Sequence, residues 1–380
     1  MNVSHLAQAM QTIAPLELAA PWDNVGLLLG SGEQPLRGPV LLTIDLTERV
    51  LGEALAMKAS AVIAYHPPIW EPLKRITGET PRGRILLGAA AAGMAVYSPH
   101  TALDAAPGGM TDWLAEGLSG GTEGTVAGDS RAIEPHIARE ATQQVKIVTF
   151  VPERSLDAVR SALATAGAGI IGDYQVCSFS TLGTGSFLGG DSTKPAVGRP
   201  GHLEQVPEMR LEMVCSKAAL PLALETLSRF HPYEEPAVDV YELLGRPQRH
   251  HGPGRRIVLD QPATVAELAE RLKKHLNIQV VNVAMAHDQD RAITHIGVCP
   301  GSGASLAAAA RADGCDVYIT GEMQHHDVIA SLHSGLSLIL AGHTNTERGY
   351  LPRLARRLES MLSGVSFKVS AVDKSPRVPV

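Results

Sequence analysis

Aromatic side chains are scarce in this sequence. Of its 380 residues, 4% are Phe, Trp or Tyr, whereas 44% are hydrophobic and 19% are charged. This balance excludes a disordered or fibrous protein and is typical of an ordinary soluble α/β protein rich in alanine and glycine. The length is sufficient for two or three domains with a large buried core.

Cysteine is also rare. Cys177, Cys215, Cys299 and Cys315 lie far apart, with no CxxC pair and no spacing typical of a disulfide framework. Reduced thiols are therefore expected, and with them a cytoplasmic location.

Long apolar runs and large clusters of one charge are missing too. No segment approaches the roughly 20 apolar residues that cross a bilayer, and residues 1–14 predict an amphipathic helix that ends before Pro15 rather than a signal sequence. The net charge is -6 and the pI is about 6.2, which gives no electrostatic reason to expect nucleic acid. We therefore expect neither a membrane nor a nucleic-acid partner.

A regular alternation of strand-like and helical segments is what the sequence does contain. Residues 1–130 include, in order, GPVLLTIDLT, ERVLGEALAMKAS, AVIAYHPP, RGRILLGAAAAG and MAVYSPH. Strands that alternate with helices of about a dozen residues predict parallel βαβ units. The same pattern returns in residues 255–380, so we predict two α/β lobes.

A different pattern separates these lobes. Residues 143–245 predict the order βαββαβ, which is that of a ferredoxin-like α+β domain. One of its strands is predicted to end with DYQVCSFS, and residues 180–201, rich in Gly, Ser, Thr and Pro, are predicted to form a loop or an irregular hairpin. The fold class is therefore α/β, with two lobes interrupted by an inserted domain.

Both lobes repeat a strand, a helix and a strand that ends in His-Thr-x-x-acid. The motif occupies His100 to Asp104 in the first lobe and His343 to Glu347 in the second. The shared context indicates an internal duplication. Because open α/β sheets bind ligands at the carboxyl ends of their strands, we expect the two lobes to face each other across a cleft.

His66 ends a third strand-like run, AVIAYHPP, where two prolines must stop the strand. Taken alone, such a histidine is most often an exposed or hydrogen-bonded turn residue, and Thr and Asp are ordinary helix N-caps. Together, imidazole and carboxylate side chains at strand ends favour a divalent metal such as Zn, Fe, Mn or Ni. The predicted ligands are His66, Asp104, His343 and Glu347.

Other motifs are less specific. His325 and His326 could be ligands, could orient a ligand by hydrogen bonding, or could be solvated residues of a first helical turn. GVCPGSGASL lacks the lysine of a phosphate-binding loop and predicts a tight turn from strand to helix. The absence of GxSxG leaves a serine hydrolase unsupported.

Several motifs together resemble one family. They are PWDNVGLLLG (21–30), YHPPIW (65–70), SPHTALDAAPGGMTDWLA (98–115), GSG (301–303), VYITGEMQHH (317–326) and AGHTNTERG (341–349). They resemble the Ngg-interacting-factor-three-like family, also called GTP cyclohydrolase type 2 homologues, whose members are dinuclear metal proteins. HPYEEPAVDVYEL (231–243) is similar to the inserted PII/CutA-like domain of the longer members.

The resemblance implies a toroidal homo-hexamer with metal sites facing an internal cavity. It places two divalent ions in each subunit, with Zn first and Fe, Mn or Ni as alternatives. The ligands it implies are His66, Asp104, His343 and Glu347, with Glu347 bridging the two ions.

The sequence departs from the family pattern at Tyr65, where members often have the first of two adjacent histidines. A phenolate or water could complete that site, His100 could move in, or one ion could bind weakly. His100 and His326 match family positions near the metals and are predicted as acid/base or substrate-orienting groups. The function implied is metal-dependent hydrolysis of a purine-like ring, an amide or a phosphoester; the alternative is a regulatory scaffold that senses a small molecule or a partner through the inserted domain.

Overall fold

A computed structural model describes residues 1–377 of the chain. They divide into two compact units, which are described separately. The first unit contains residues 1–136 and the chain from Gln248 onward, and the second contains Ile137–Pro247. No helix within residues 1–377 is long and apolar enough to cross a membrane.

The first half of the first unit alternates short buried strands with helices. Thr47 and Thr80 cap two of these helices, each accepting a hydrogen bond from a first-turn backbone N–H. Strands buried along their whole length, such as VLLT, AVIA and AVYS, are typical of a parallel sheet covered on both faces. The elements are α1 (Val3–Ile13), β1 (Gly26–Leu29), β2 (Val40–Thr43), α2 (Glu48–Ala56), β3 (Ala61–Ala64), α3 (Pro81–Ala91), β4 (Ala95–Ser98), α4 (His100–Ala105), α5 (Met110–Ser119) and β5 (Asp129–Arg131).

The second unit is built around an antiparallel sheet. Its elements are β6 (Ile137–Ala138), β7 (Val145–Val151), α6 (Leu156–Thr165), β8 (Phe179–Leu188), β9 (Leu203–Cys215), α7 (Leu220–Phe230), β10 (Val238–Glu242) and β11 (Arg246–Pro247). The sheet order β10-β7-β9-β8, with a helix after β7 and another after β9, has the connectivity of a split βαβ motif. Apolar side chains of both helices and of β7 and β9 form its core.

One strand of the second unit lies further along the chain than predicted. The prediction that a strand ends at Ser180 is wrong, because β8 begins at Phe179 and continues to Leu188. Of the two alternatives for residues 180–201, the loop is wrong for residues 180–188, whereas a hairpin is present, since β8 pairs antiparallel with β9. Gly183 and Gly185 gave this segment its loop-like composition. Packing explains the glycine at position 185, because a Cβ on Gly185 would lie 2.0 Å from Oε2 of Glu208 on the neighbouring strand.

The last part of the chain returns to the first unit. Thr264 and Glu267 form a reciprocal capping box at the start of one helix, and Asn277 ends it in the left-handed conformation. The elements are β12 (Arg255–Ala263), α8 (Val265–Leu276), β13 (Asn282–Ala284), β14 (Ile293–Val298), α9 (Ala307–Ala312), β15 (Val317–Thr320), α10 (His325–His333), β16 (Ser337–Leu340), α11 (Asn345–Arg348), α12 (Leu351–Met361) and β17 (Phe367–Val369).

Two sheets of the first unit share one strand pattern. Their orders are β1-β4-β3-β2-β17 and β13-β16-β15-β14-β12-β5. In each, three adjacent strands are parallel and an antiparallel strand covers the edge, β1 beside β4 and β13 beside β16. The two halves also exchange strands, because β17 pairs with β2 in the first sheet and β5 pairs with β12 in the second. The α/β class predicted from the sequence is confirmed.

Arg255, at the start of β12, links the two halves of the first unit. Its side chain is fully buried, and its Nε donates to Asp112 of α5. Its Nη1 donates to the carbonyls of Gly252 and Gly254 at 2.7 and 2.8 Å. A buried cation is tolerated only when it is paired and fully hydrogen-bonded, so this network fixes β12 against α5.

We predict that Arg255→Met lowers the free energy of unfolding by about 3–5 kcal/mol, because Asp112 and the carbonyls lose their partner. Urea unfolding of the metal-free protein measures the change. Arg356→Met is the control: Arg356 makes an exposed ion pair with Glu123, and its loss is expected to cost less than about 1 kcal/mol. Equal losses of unfolding free energy in the two variants would contradict the role of Arg255 in fixing β12 against α5.

Candidate metal centre

His66 is positioned by the end of β3. Its backbone N–H donates to the carbonyl of Ile44 at 3.0 Å, and Pro67 then stops the ladder. The ring spans two carboxylates: Nδ1 lies 2.9 Å from Oδ1 of Asp45, and Nε2 lies 3.6 Å from Oε1 of Glu347. Asp45 itself follows β2, so the carboxyl ends of two neighbouring strands meet here.

His343 has the same arrangement on the second sheet. It follows β16 after Gly342, whose φ of +88° favours glycine. Its Nδ1 lies 3.0 Å from Oε1 of Glu322, and its Nε2 lies 3.3 Å from Oε1 of Glu347. Glu322 follows β15, so this histidine too is oriented by an acid at the end of a neighbouring strand.

The side chains of His66 and His343 both approach the carboxylate of Glu347. Glu347 lies in α11 and is 1% exposed. Its Oε1 and one ring nitrogen each of His66 and His343 lie within 4.8 Å of one another. The ring centroids of the two histidines are 5.3 Å apart.

This donor set fits a divalent metal ion. Tetrahedral zinc ligands are roughly 3.3 Å from one another when each is about 2.0–2.1 Å from the metal, which matches the separations of 3.3 and 3.6 Å between the histidines and Glu347. Oε2 of Glu347 is buried and has no hydrogen-bond partner among residues 1–377. A carboxylate at Nδ1 of each ligating histidine is the usual outer partner, since it fixes the ring and the tautomer.

Gly301 keeps the space around this cluster open. A Cβ at this position would lie 2.6 Å from Oε1 of Glu347 and 3.2 Å from Nε2 of His343. Its φ of +62° also favours glycine. The segment GVCPGSG was predicted as a tight turn, and the structure shows that the turn borders the candidate centre.

Asp104 lies beside this group but is not one of its three members. The buried hydroxyl of Tyr65 donates to Oδ1 of Asp104 at 2.7 Å. Burial raises the pKa of Asp104 to about 7, against the opposing effect of His100 and Tyr65. Burial, together with Asp104, raises the pKa of Tyr65 well above its usual value, so the phenol keeps its proton.

His100 is a buried neighbour of the group. Its Nδ1 lies 2.8 Å from Oδ1 of Asp23, and its ring centroid is 5.4 Å from those of both His66 and Tyr65. Its φ of +29° is rare for a residue other than glycine, and such backbone is found at functional sites. Asp23 also accepts from the backbone and hydroxyl of Thr101, which fixes the start of α4.

His326 occupies a different kind of place. It is exposed in the first turn of α10, and its ring lies 5.6 Å from that of His325. The structure does not bring it into the three-residue group. The sequence reasoning also missed Asp45, Glu322 and Asp23. Asp45 lies inside the predicted run GPVLLTIDLT, whose strand ends earlier, at Thr43; Glu322 lies in the motif VYITGEMQHH just after its strand-like part, which was the available signal for it.

The acids around His66 determine its protonation. Burial alone lowers the pKa of this imidazole, but the hydrogen bond with Asp45 and the nearby carboxylate of Glu347 outweigh it and raise the pKa to about 10. In the metal-free protein His66 is therefore a cation that offsets the buried charge of Glu347. A metal ion would replace that proton.

The fold and the site define an α/β protein with a histidine and carboxylate centre between two similar sheets. The model of the Duf34/NIF3 (NGG1p interacting factor 3) family matches residues 1–376. The chain belongs to this family, as its motifs predicted.

Relatives of known sequence match over nearly the whole chain. The GTP cyclohydrolase 1 type 2 homolog of Bacillus subtilis (strain 168) is 33% identical, covering 99% of this chain and 98% of its own. NIF3-like protein 1 of Homo sapiens is also 33% identical, covering 99% of this chain and 92% of its own.

Solved structures show the same fold. A Bacillus cereus protein related to NIF3 matches with a TM-score of 0.64 and 30% identity, over 100% of this chain and 99% of that one. A Staphylococcus aureus protein matches with a TM-score of 0.73 and 23% identity, again over 100% and 99%. The latter likeness supports the fold alone.

We predict that Glu347→Ala weakens zinc binding by more than about 100-fold, because both histidines converge on this carboxylate. Loss of a residue that only hydrogen-bonds to a ligand costs up to about 100-fold, and loss of a ligand should cost more. Zinc retained after desalting, measured by mass spectrometry, tests this. Glu359→Ala removes an exposed acid of α12 and is the control. Zinc retention by Glu347→Ala at the level of the control would contradict the assignment.

We predict that zinc binding near neutral pH displaces about one proton from His66, and that affinity rises as the pH approaches 10. Calorimetric titration in buffers of different ionisation enthalpy measures the proton. Without metal, the stability that protonated His66 contributes is full below its usual pKa of 6.5 and is lost as the pH rises through 10. Asp45→Asn should reduce the proton release and weaken affinity by about 10–100-fold; unchanged release would rule out this protonation.

Proposed function

We propose that this protein is a metal-dependent hydrolase whose centre holds two divalent ions, with zinc first and Fe, Mn or Ni as alternatives. The observation that carries the proposal is the convergence of His66 and His343 on the buried Glu347. Acids at Nδ1 of both histidines support a ligand role over a merely structural one.

The residues divide between two positions. His66, His343 and Oε1 of Glu347 would hold one ion. Glu347 and Asp104 would hold the second, and His100, whose ring centroid is 5.4 Å from that of His66, could move in as a further imidazole. When bound, such ions supply Lewis acidity, polarising an electrophile and acidifying water.

The chain's own groups can position and move protons. His100 is oriented by Asp23 at Nδ1, which leaves Nε2 as the nitrogen available for general acid/base work. Asp104, which would hold the second ion, is oriented by the hydrogen bond that it accepts from the Tyr65 hydroxyl. The predicted acid/base role of His326 has no comparable support, since its ring contact is with His325.

The name of the Bacillus subtilis relative suggests hydrolysis of a ring. The substrate classes we put forward for this chain are purine-like rings, amides and phosphoesters. We also propose a cytoplasmic homo-hexamer with facing lobes that arose by duplication. The repeated strand pattern of the two sheets supports the duplication.

A second candidate function is a regulatory scaffold that senses a small molecule through the second unit. The observation in its favour is a cavity of about 560 Å³ within that unit. The connectivity of its sheet supports the proposed PII/CutA-like character.

We predict that zinc-loaded protein turns over at least one member of a panel of purine nucleotides, cyclic amides and phosphoesters. Glu347→Gln should abolish this turnover, because the histidines lose their shared carboxylate, whereas Glu359→Gln should leave it unchanged. Product formation followed by mass spectrometry is the measurement. No metal-dependent turnover across the panel would favour the scaffold.

We predict that zinc binds the wild-type protein in two phases, and that Tyr65→His tightens only the weaker one. The change removes the hydroxyl that hydrogen-bonds Asp104 and adds an imidazole at the second position. Tyr65→Phe removes the hydroxyl without adding a ligand and is the matched control. Calorimetry distinguishes the phases, and a single phase in all three proteins would argue against a second ion.

A further inference from the structure

The second unit contains a cavity that takes no part in the candidate metal centre. It has a volume of about 560 Å³. It is lined by side chains of β7, β8 and β9 and by the segment before β10. Phe150, Phe187 and Ala237 contribute apolar surface to it. Such a mixture of apolar walls and few polar groups is typical of small-molecule sites.

A buried carboxylate points into this cavity. Glu208 of β9 is 9% exposed and makes no ion pair with any residue from 1 to 377. The neighbouring strand leaves room for it, since a Cβ on Gly185 would lie 2.0 Å from its Oε2. A carboxylate removed from water without a cation is costly, so this position favours a cationic ligand.

The other charges that line the cavity do not neutralise Glu208. Glu234 and Glu235 are both acidic. The Arg210 guanidinium lies over the ring of Phe150, 5.6 Å from its centroid, and its Nε donates to Oε1 of Glu212 at 2.8 Å. The described lining therefore has more negative than positive charge.

Tyr233 lies next to Glu208 in the cavity lining. Its hydroxyl is buried. Burial, followed by the interaction with Glu208, raises its pKa to about 12, so the hydroxyl remains neutral. The ring of Tyr233, with Phe150 and Phe187, offers aromatic surface beside the carboxylate.

We propose that this cavity binds an organic cation, with an amine, amidine or guanidine head against Glu208 and an apolar, planar body against the aromatic rings. Charge-assisted hydrogen bonds would hold the head, and the rings would favour a cation through their π faces. The site is independent of metal-dependent hydrolysis, and it would give the scaffold function its class of ligand.

Benzamidine, benzamide and benzoate test this proposal, because they share a ring and differ in the charge of the head group. Each is titrated calorimetrically into the full-length, metal-free protein. Benzamidine is expected to bind at least about tenfold more tightly than benzamide, because one hydrogen bond to a charged group supplies about that factor. Benzoate is expected to bind more weakly than benzamide. Equal binding of benzamide or benzoate, or no binding of benzamidine, would overturn the proposal without any variant.

Variants then locate the site. Glu208→Gln should weaken benzamidine at least about tenfold, whereas Glu225→Gln, an exposed acid of α7, should not. Gly185→Ala keeps the charge but places a methyl group where the carboxylate lies, and should also weaken binding. Full benzamidine affinity in a folded Glu208→Gln protein would refute the site. Zinc binding should be unchanged in these variants, so failure here is distinct from failure of the hydrolase proposal.

Discussion

The buried carboxylate of Glu347 is the group around which the first unit is arranged. Burying an acid is unfavourable unless opposite charge or donors surround it. Here His66 approaches from the first sheet and His343 from the second, so the requirement to pair one carboxylate fixes the ends of both sheets relative to it. A proton on His66 offsets the charge in the metal-free chain, and a metal ion would offset it in the loaded one. The same geometry therefore serves both states.

Strand exchange makes this arrangement rigid. β17, at the end of the chain, pairs with β2 of the first sheet, and β5 of the first half pairs with β12 of the second. Neither sheet is complete without the other half. Arg255 adds a buried ionic contact between them, and one continuous apolar cluster extends through both. A site shared between two sheets keeps its geometry only when the sheets cannot move apart, and this interlocking supplies that constraint.

Part of the candidate site could be predicted because strand ends leave a local signal. AVIAYHPP predicts a buried strand stopped by proline, and β3 with His66 just beyond it agrees. The repeated His-Thr-x-x-acid motif likewise identified His343 and Glu347. Asp45 and Glu322 were missed because an acid after a strand has no special spacing to its histidine, which lies on another strand. Gly185 misled the prediction because its close contact is with a strand distant in sequence.

The α/β class, the family and the three residues that converge could be predicted from the amino-acid order, since periodicity and short motifs depend on neighbours along the chain. Which atoms meet depends on the folded arrangement. In the folded chain the Tyr65 hydroxyl donates to Asp104, and His326 lies with His325 at the surface. Glu208 is buried without an ion pair to any of residues 1–377. Pairing across sheets and burial from water depend on residues far apart in sequence, and local patterns carry no information about their distances.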